Sequence, residues 1–486
     1  MKEEKTLKPL LIGVTVLVYL VIMLNHYLGW QLFGLNPMLV SMVGIFVTSL
    51  LLWLFVAIDW PSLLCILGMS MLPGVGFNTI LPLSFGNVTF AFLLFTFLLT
   101  YALDQTFYIK RLTAWAVHST WAQSSPWRLV IAFLCIMLLI ASFISPTILF
   151  MIAYPLYEEL CAQLGLEKGN RNAGILLVAL YTTIAIGTAM TPINHVFAIS
   201  AIGLYEAAFN QTISYYDYMK MAVPAGFVIF LVLLLTLRFI WRLSLTHTQS
   251  SKLASLAQLP EADKREKGIL GVFLVVVAMW LLPEVLAGVL PGLATFFKTA
   301  GIAFPPLFGI VILAILSDRG KPLLDVPKAM REGVHWPSLL LVAATLSLGA
   351  MIAKDETGIV PLLNELMTPV FSNLSAWMIV FIFVVWAGLQ TNLSSNLVTV
   401  SVVSAIALAL AQSNANFPAN SAIIACFIGF MASIALMTPP AMPYVAISVG
   451  NNWVTSRQAF TYGLWILVIS ILAMMFVAYP IGLGIF

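Results

Sequence analysis

The sequence predicts an all-α polytopic membrane protein with eleven transmembrane helices and two re-entrant hairpins, arranged in inverted repeats. Three observations carry this expectation. Hydrophobic residues fill 61% of the 486 positions and charged ones 8%, with a mean hydropathy of +1.03, whereas soluble domains carry roughly one-quarter charged residues. Polar runs interrupt the apolar segments at matched places: Trp377 and Ser395 stand 250 residues beyond Trp127 and Ser145. Finally, with the N-terminus on the cytoplasmic side, 19 of the 22 Lys and Arg residues fall on that side and only Lys220, Lys298 and Lys354 lie outside, the bias expected of cytoplasmic loops.

Along the chain, MKEEKTLKPLL leads into an apolar run without a small-residue cleavage site, which reads as a retained first helix within residues 1–36. Runs long enough to cross a bilayer place helices one to four at 10–30, 37–58, 61–78 and 86–104. KRLTAWAVHSTW, basic and amphipathic, suits the membrane interface. The segment 126–163 is apolar for 38 residues but carries Ser142, Ser145, Pro146 and Thr147 at its middle. It is too long for one spanning helix and reads as a hairpin entering from the cytoplasm. Helix five, 172–204, is broken by GTAMTPINH, and helix six, 221–242, closes a first repeat of residues 37–242. A polar cytoplasmic linker, 243–267, leads to a second repeat, 268–486. That half holds helices seven to nine at 269–290, 301–317 and 337–353, a hairpin at 375–412 entering from the exterior, helix ten at 420–448 broken by MTPPAMP, and a last helix.

The polar breaks carry the chemistry. TNLSSNLVTV, from Thr391 to Val400, places six Ser, Thr or Asn side chains in ten residues at the centre of a hairpin, and hydrocarbon offers such groups no hydrogen bonds. Each half therefore contributes a hairpin tip and a broken helix: Ser145, Pro146 and Thr147 with Thr191, Asn194 and His195, and Ser395, Asn396 and Leu397 with Thr438 and Pro439. Interrupted helices leave unpaired N–H groups and positive dipole ends that suit an anion, and unpaired carbonyls that suit a cation. A single Thr-Pro break is most often a plain kink; four breaks in matched register point to one central site. His195 reads two ways, as a protonated imidazole offsetting an anion or as a neutral ring satisfied by a carbonyl. Asp59 and Asp104 fall at helix ends and read as capping or interfacial groups. Glu158 and Glu159 close the first hairpin as solvated charges, and the four cysteines lack metal or redox spacing.

With these motifs in view, the chain resembles the divalent anion/sodium symporter family of carboxylate and sulfate transporters. The resemblance spans the topology and rests on SPT at Ser145, TPINH at Thr191, TxxxSNL at Thr391 and TPPAMP at Thr438. It implies a homodimer in the bilayer, in which a transport domain of hairpins and broken helices slides like an elevator against a scaffold. It also implies sodium ligands at Thr391 and Asn396. The departures lie mainly in the first half: Ala141 stands where the family has a hydroxyl four residues before the tip Ser, and Pro146 replaces the tip Asn, removing two side-chain oxygens of a first sodium site. In the second half Leu397 replaces the last Thr.

The function expected from this reading is secondary active transport of a small dicarboxylate, of the succinate, malate, fumarate and 2-oxoglutarate class, across a bacterial inner membrane with the N-terminus cytoplasmic. Thr147, Asn396 and the helix ends at Thr191 and Thr438 would hold it. The missing oxygens of the first tip favour sodium-independent exchange, with His195 as the fixed positive group. The alternatives are a symporter with reduced sodium stoichiometry and a carrier of another divalent anion such as sulfate. No cofactor is expected, and a net charge of +3 gives no indication of nucleic acid as a partner. An enzyme would need a nucleophile–base pair or a metal cluster, and no HExxH, GxSxG or grouped His and Cys occurs. A channel is disfavoured because broken helices meeting at one uncharged polar centre suit alternating access.

Overall fold

The computed structural model describes residues 2–28, 30, 32–193, 195–245, 259–352, 354–359, 361, 362, 365, 374–413 and 419–486. Asn194, Lys252 and the middle of the linker lie outside the described residues. Apart from a two-stranded turn, Ser317–Asp318 against Lys321–Pro322, which the sequence reading did not foresee, the described chain is helical.

The hairpins form where the polar runs place them. The first comprises Pro126–Ala141 and Pro146–Gln163, and the second Ala376–Leu393 and Asn396–Ser413. Serine opens both: Ser125 Oγ accepts from Arg128 N and Ser375 Oγ from Met378 N, each at 3.3 Å, and these capping serines stand in the same 250-residue register. Proline sets most of the breaks, because a residue preceding proline is pushed out of the helical region. Ser145 (ψ 130°), Thr191 (ψ 148°) and Met442 (ψ 149°) are extended before Pro146, Pro192 and Pro443. The broken helices are Arg171–Met190 with Val196–Phe209, and Ser421–Ala432 with Pro443–Gly450. Arg171–Met190 lies at the centre, buried continuously from Ala173 to Met190.

Three expected spans differ from the structure. The helix expected at 61–78 ends at Ser70 after 11 residues, about 16 Å at the usual rise and short of the roughly 30 Å hydrocarbon core. A turn through Gly74 (φ +79°) and Gly76 (φ +66°) then starts Gly76–Leu83, which bends by 51° into Val88–Asp104. The expected helices at 301–317 and 337–353 are likewise the second limbs of bent pairs: Pro291–Ala300 turns by 84° into Phe304–Ile315, and Val326–Glu332 by 79° into Trp336–Ile352. By length and composition, six described helices can cross a membrane, or nine if each bent pair counts as one span, against the eleven expected. Several of the remaining apolar helices are hairpin arms and halves of broken helices, each too short alone.

Tyr215–Leu235 and Ser456–Ala473, the last long helices of the two halves, pack together, and each runs into a π-helical turn, Thr236–Ile240 and Met474–Ala478. Trp465 Nε1 donates to Thr236 Oγ1 at 3.3 Å. The two repeat-marking tryptophans meet these turns: Arg238 lies 5.0 Å from the Trp127 ring and Phe476 6.1 Å from that of Trp377. The expected interfacial segment forms Tyr108–Val117, where Arg111 anchors the returning linker by donating to Glu266 Oε2 at 2.6 Å and to the Pro260 carbonyl at 2.7 Å.

Candidate functional site

The two halves build the same hydrogen bond at their breaks. In the first, the Thr191 hydroxyl donates to the Ser142 carbonyl; in the second, the Thr438 hydroxyl donates to the Asn392 carbonyl. Ser142 and Asn392, which end the first arms of the hairpins, are again 250 residues apart. A threonine just after a broken helix thus satisfies a carbonyl that the interrupted hairpin arm leaves open.

Around this shared bond the halves diverge. At the first tip Thr188 Oγ1 reaches the Ala141 carbonyl at a long 3.4 Å while bonding Ile184 O at 2.9 Å, and the Ser142 hydroxyl turns back to Leu138 O at 3.2 Å. At the second tip Thr391 Oγ1 donates to the Ala432 carbonyl at 2.8 Å. Asn392, absent from the residues expected at the site, is fully buried and makes four side-chain bonds: Nδ2 to Gly388 O (2.8 Å) and Ile434 O (2.7 Å), and Oδ1 from Leu436 N (2.7 Å) and Met437 N (2.9 Å). Its signal lay in the same TNLSSNL run, but three of its four partners lie more than 40 residues away, beyond the reach of local pattern.

The expected site residues are placed as follows. Ser145, Pro146, Thr147 and Ser395 are half-buried at the tips, and Thr438 and Pro439 are half-buried at the second break. Thr191, His195, Asn396 and Leu397 are buried. Asn396 begins the second arm of its hairpin, and its Nδ2 is buried without a hydrogen-bond partner. His195 connects the halves: Nε2 meets the hydroxyl of Ser433 on the opposite break, its ring stands edge-on to Phe197, and Nδ1 is unpartnered. Among the described residues no hydrogen bond joins one tip directly to the other; at the breaks the halves meet through His195 with Ser433 and through Tyr181, whose hydroxyl donates to Leu436 O at 3.4 Å.

Four helices therefore begin at the tips and breaks, at Pro146, Val196, Asn396 and Pro443. Their first N–H groups have no intrahelical partners. Beside them lie the unpaired amide of Asn396 and, at the second tip, the oxygens of Thr391 and of the unwound segment after Ala432. This arrangement can hold an anion at helix N-termini and a hard cation among hydroxyl and carbonyl oxygens. Among the described residues no group of three or more His, Cys, Asp or Glu is placed to hold a metal ion.

Residues 12–429 match the family model described as a citrate transporter. The sodium-dependent dicarboxylate transporter SdcS of Staphylococcus saprophyticus is 23% identical over 471 residues, covering 90% of this chain and 86% of that protein. The sodium-dependent high-affinity dicarboxylate transporter 3 of Caenorhabditis elegans is 25% identical over 399 residues, covering 73% and 69%. Among solved structures, the Alcanivorax borkumensis YdaH transporter aligns with a TM-score of 0.61 at 14% identity, over 84% of this chain and 88% of that one. The Neisseria gonorrhoeae protein MtrF gives 0.58 at 16% identity, over 83% and 85%. At these identities the two structures speak for the fold alone.

Proposed function

Because the chain belongs to the citrate transporter family, and is thus a multi-spanning membrane transporter and not an enzyme, we propose that it carries small dicarboxylates of the succinate and malate class in symport with sodium. The observation that supports this most directly is the unequal pair of tips. The second retains Thr391, the unpartnered amide of Asn396 and the unwound carbonyls behind them, while the first has Ala141 and Pro146 in place of oxygen-bearing side chains. In this reading the dianion lies across the helix N-termini at both tips, contacting Thr147, Asn396 and the breaks at Thr191 and Thr438. A sodium ion, carried as co-substrate, sits on the second-tip side at Thr391 and offsets part of the charge. The relatives, named as sodium-dependent dicarboxylate transporters, support the coupling. Inverted repeats, a homodimer, elevator movement and an inner-membrane location with a cytoplasmic N-terminus belong to the same proposal.

Sodium-independent exchange is the second reading, favoured by the oxygens missing from the first tip. Proteoliposomes decide between the two. Symport predicts labelled succinate entering empty vesicles under an inward sodium gradient and stalling in choline. Uptake indifferent to sodium and dependent on internal succinate overturns it in favour of exchange, and sulfate uptake without succinate uptake overturns the substrate class.

A further inference from the structure

We propose that Asn392 is a positioning residue of the transport site: it clamps the unwound backbone of the second break to the hairpin and thereby sets the distance between Asn396 and Thr438. Asn392 is 0% exposed, and its amide uses both donors and accepts twice at its oxygen. An asparagine side chain has little capacity beyond that. Two of the bonds receive the N–H groups of Leu436 and Met437, and one serves the Ile434 carbonyl, all in the segment left without helical partners once Ser421–Ala432 has ended. The Asn392 carbonyl receives the Thr438 hydroxyl as well, so one residue holds the break from Ile434 to Thr438. Asn396 follows four positions later at the start of the next arm, so the clamp ties the break to the start of that arm.

Among the described residues the first half has no such clamp. Ser142, in the matching position, spends its hydroxyl on Leu138 of its own helix, and among the described residues the broken helix reaches the hairpin arm through the Thr191 hydroxyl and the long Thr188 bond to Ala141 O. The second break is thus tied to its hairpin by Thr391, Asn392 and Thr438, and the first, among the described residues, by the hydroxyls of Thr188 and Thr191. The inference rests on the dicarboxylate reading for its transport readout, though not for its structural one.

The test is Asn392→Ser, which copies the first half, beside Asn392→Asp, which keeps the acceptor for Leu436 and Met437 but removes both donors. Initial fumarate uptake in sodium buffer is measured across substrate concentrations. The expected result is a half-saturating concentration raised at least tenfold in Asn392→Ser and less in Asn392→Asp, with maximal rates within about threefold of the parent, since a misplaced wall weakens binding more than turnover. A folded Asn392→Ser protein with unchanged half-saturation, or one whose maximal rate alone falls, overturns the proposal. Amide hydrogen exchange on the unsubstituted protein keeps the question decidable if the variants do not fold: Leu436 and Met437 should exchange as slowly as neighbouring helical amides, and rapid exchange there overturns the clamp. A protein that takes up no dicarboxylate refutes the functional reading, while slow exchange at these amides still upholds the clamp.

Discussion

The two hairpin tips close the same hydrogen bond from a threonine hydroxyl to an arm-end carbonyl, yet surround it with different chemistry. What they share is therefore architecture, the solution to an interrupted helix at membrane depth, where an open carbonyl is costly. What they do not share is the set of side chains around that bond: Ala141, Ser142 and Pro146 in one half, Thr391, Asn392 and Asn396 in the other. One shared hydrogen bond thus sits in two different polar surroundings.

Three pairs of substitutions break or sharpen that comparison. The largest effect is expected from Asn396→Ala, which removes the unpartnered buried amide. Succinate uptake at equal expression should weaken at least tenfold, about 1.4 kcal/mol, whereas Thr147→Val on the first tip should cost roughly threefold, about 0.65 kcal/mol. Equal losses at both positions would mean that the two tips share the ligand evenly. The next effect concerns the shared bond. Thr191→Val and Thr438→Val each leave a carbonyl without its side-chain donor, at about 1–2 kcal/mol, and both should lower the melting temperature in detergent by similar amounts. A large shift for one and none for the other would show that the bonds are not equivalent. The smallest effect is the link between the halves: a double-mutant cycle on His195→Ala and Ser433→Ala should return a coupling of about 1 kcal/mol in stability, and additive effects would remove that link.

The hairpins were legible because serine, threonine, asparagine and proline in the middle of apolar runs have few places to be, and because a 250-residue register ties 125, 127 and 145 to 375, 377 and 395. The breaks at Thr191 and Thr438 were legible for the same reason. The bends at residues 84–87 and 333–335 were not, since an apolar run reports burial in lipid or protein but not where a helix axis turns. Nor was the weight of Asn392. It is one polar residue among six, and only the folded position of Ile434 to Thr438 distinguishes a clamp from a lining residue. His195 was picked out for its type and place, but its partner Ser433 is 238 residues away.

The π-turns speak to descent. Each adds a residue to a helix, and one added residue rotates everything beyond it by about 100°, so such an insertion survives only where later packing has adjusted to it. Here both halves carry one at the end of the corresponding helix, Thr236–Ile240 and Met474–Ala478, each touching the tryptophan that opens its own hairpin. Two separate insertions landing at one place is the costlier history. If the halves are the inverted repeats proposed above, the simpler one is a half-length ancestor that already carried the inserted residue and its tryptophan contact, and whose gene doubled before the two tips parted in chemistry.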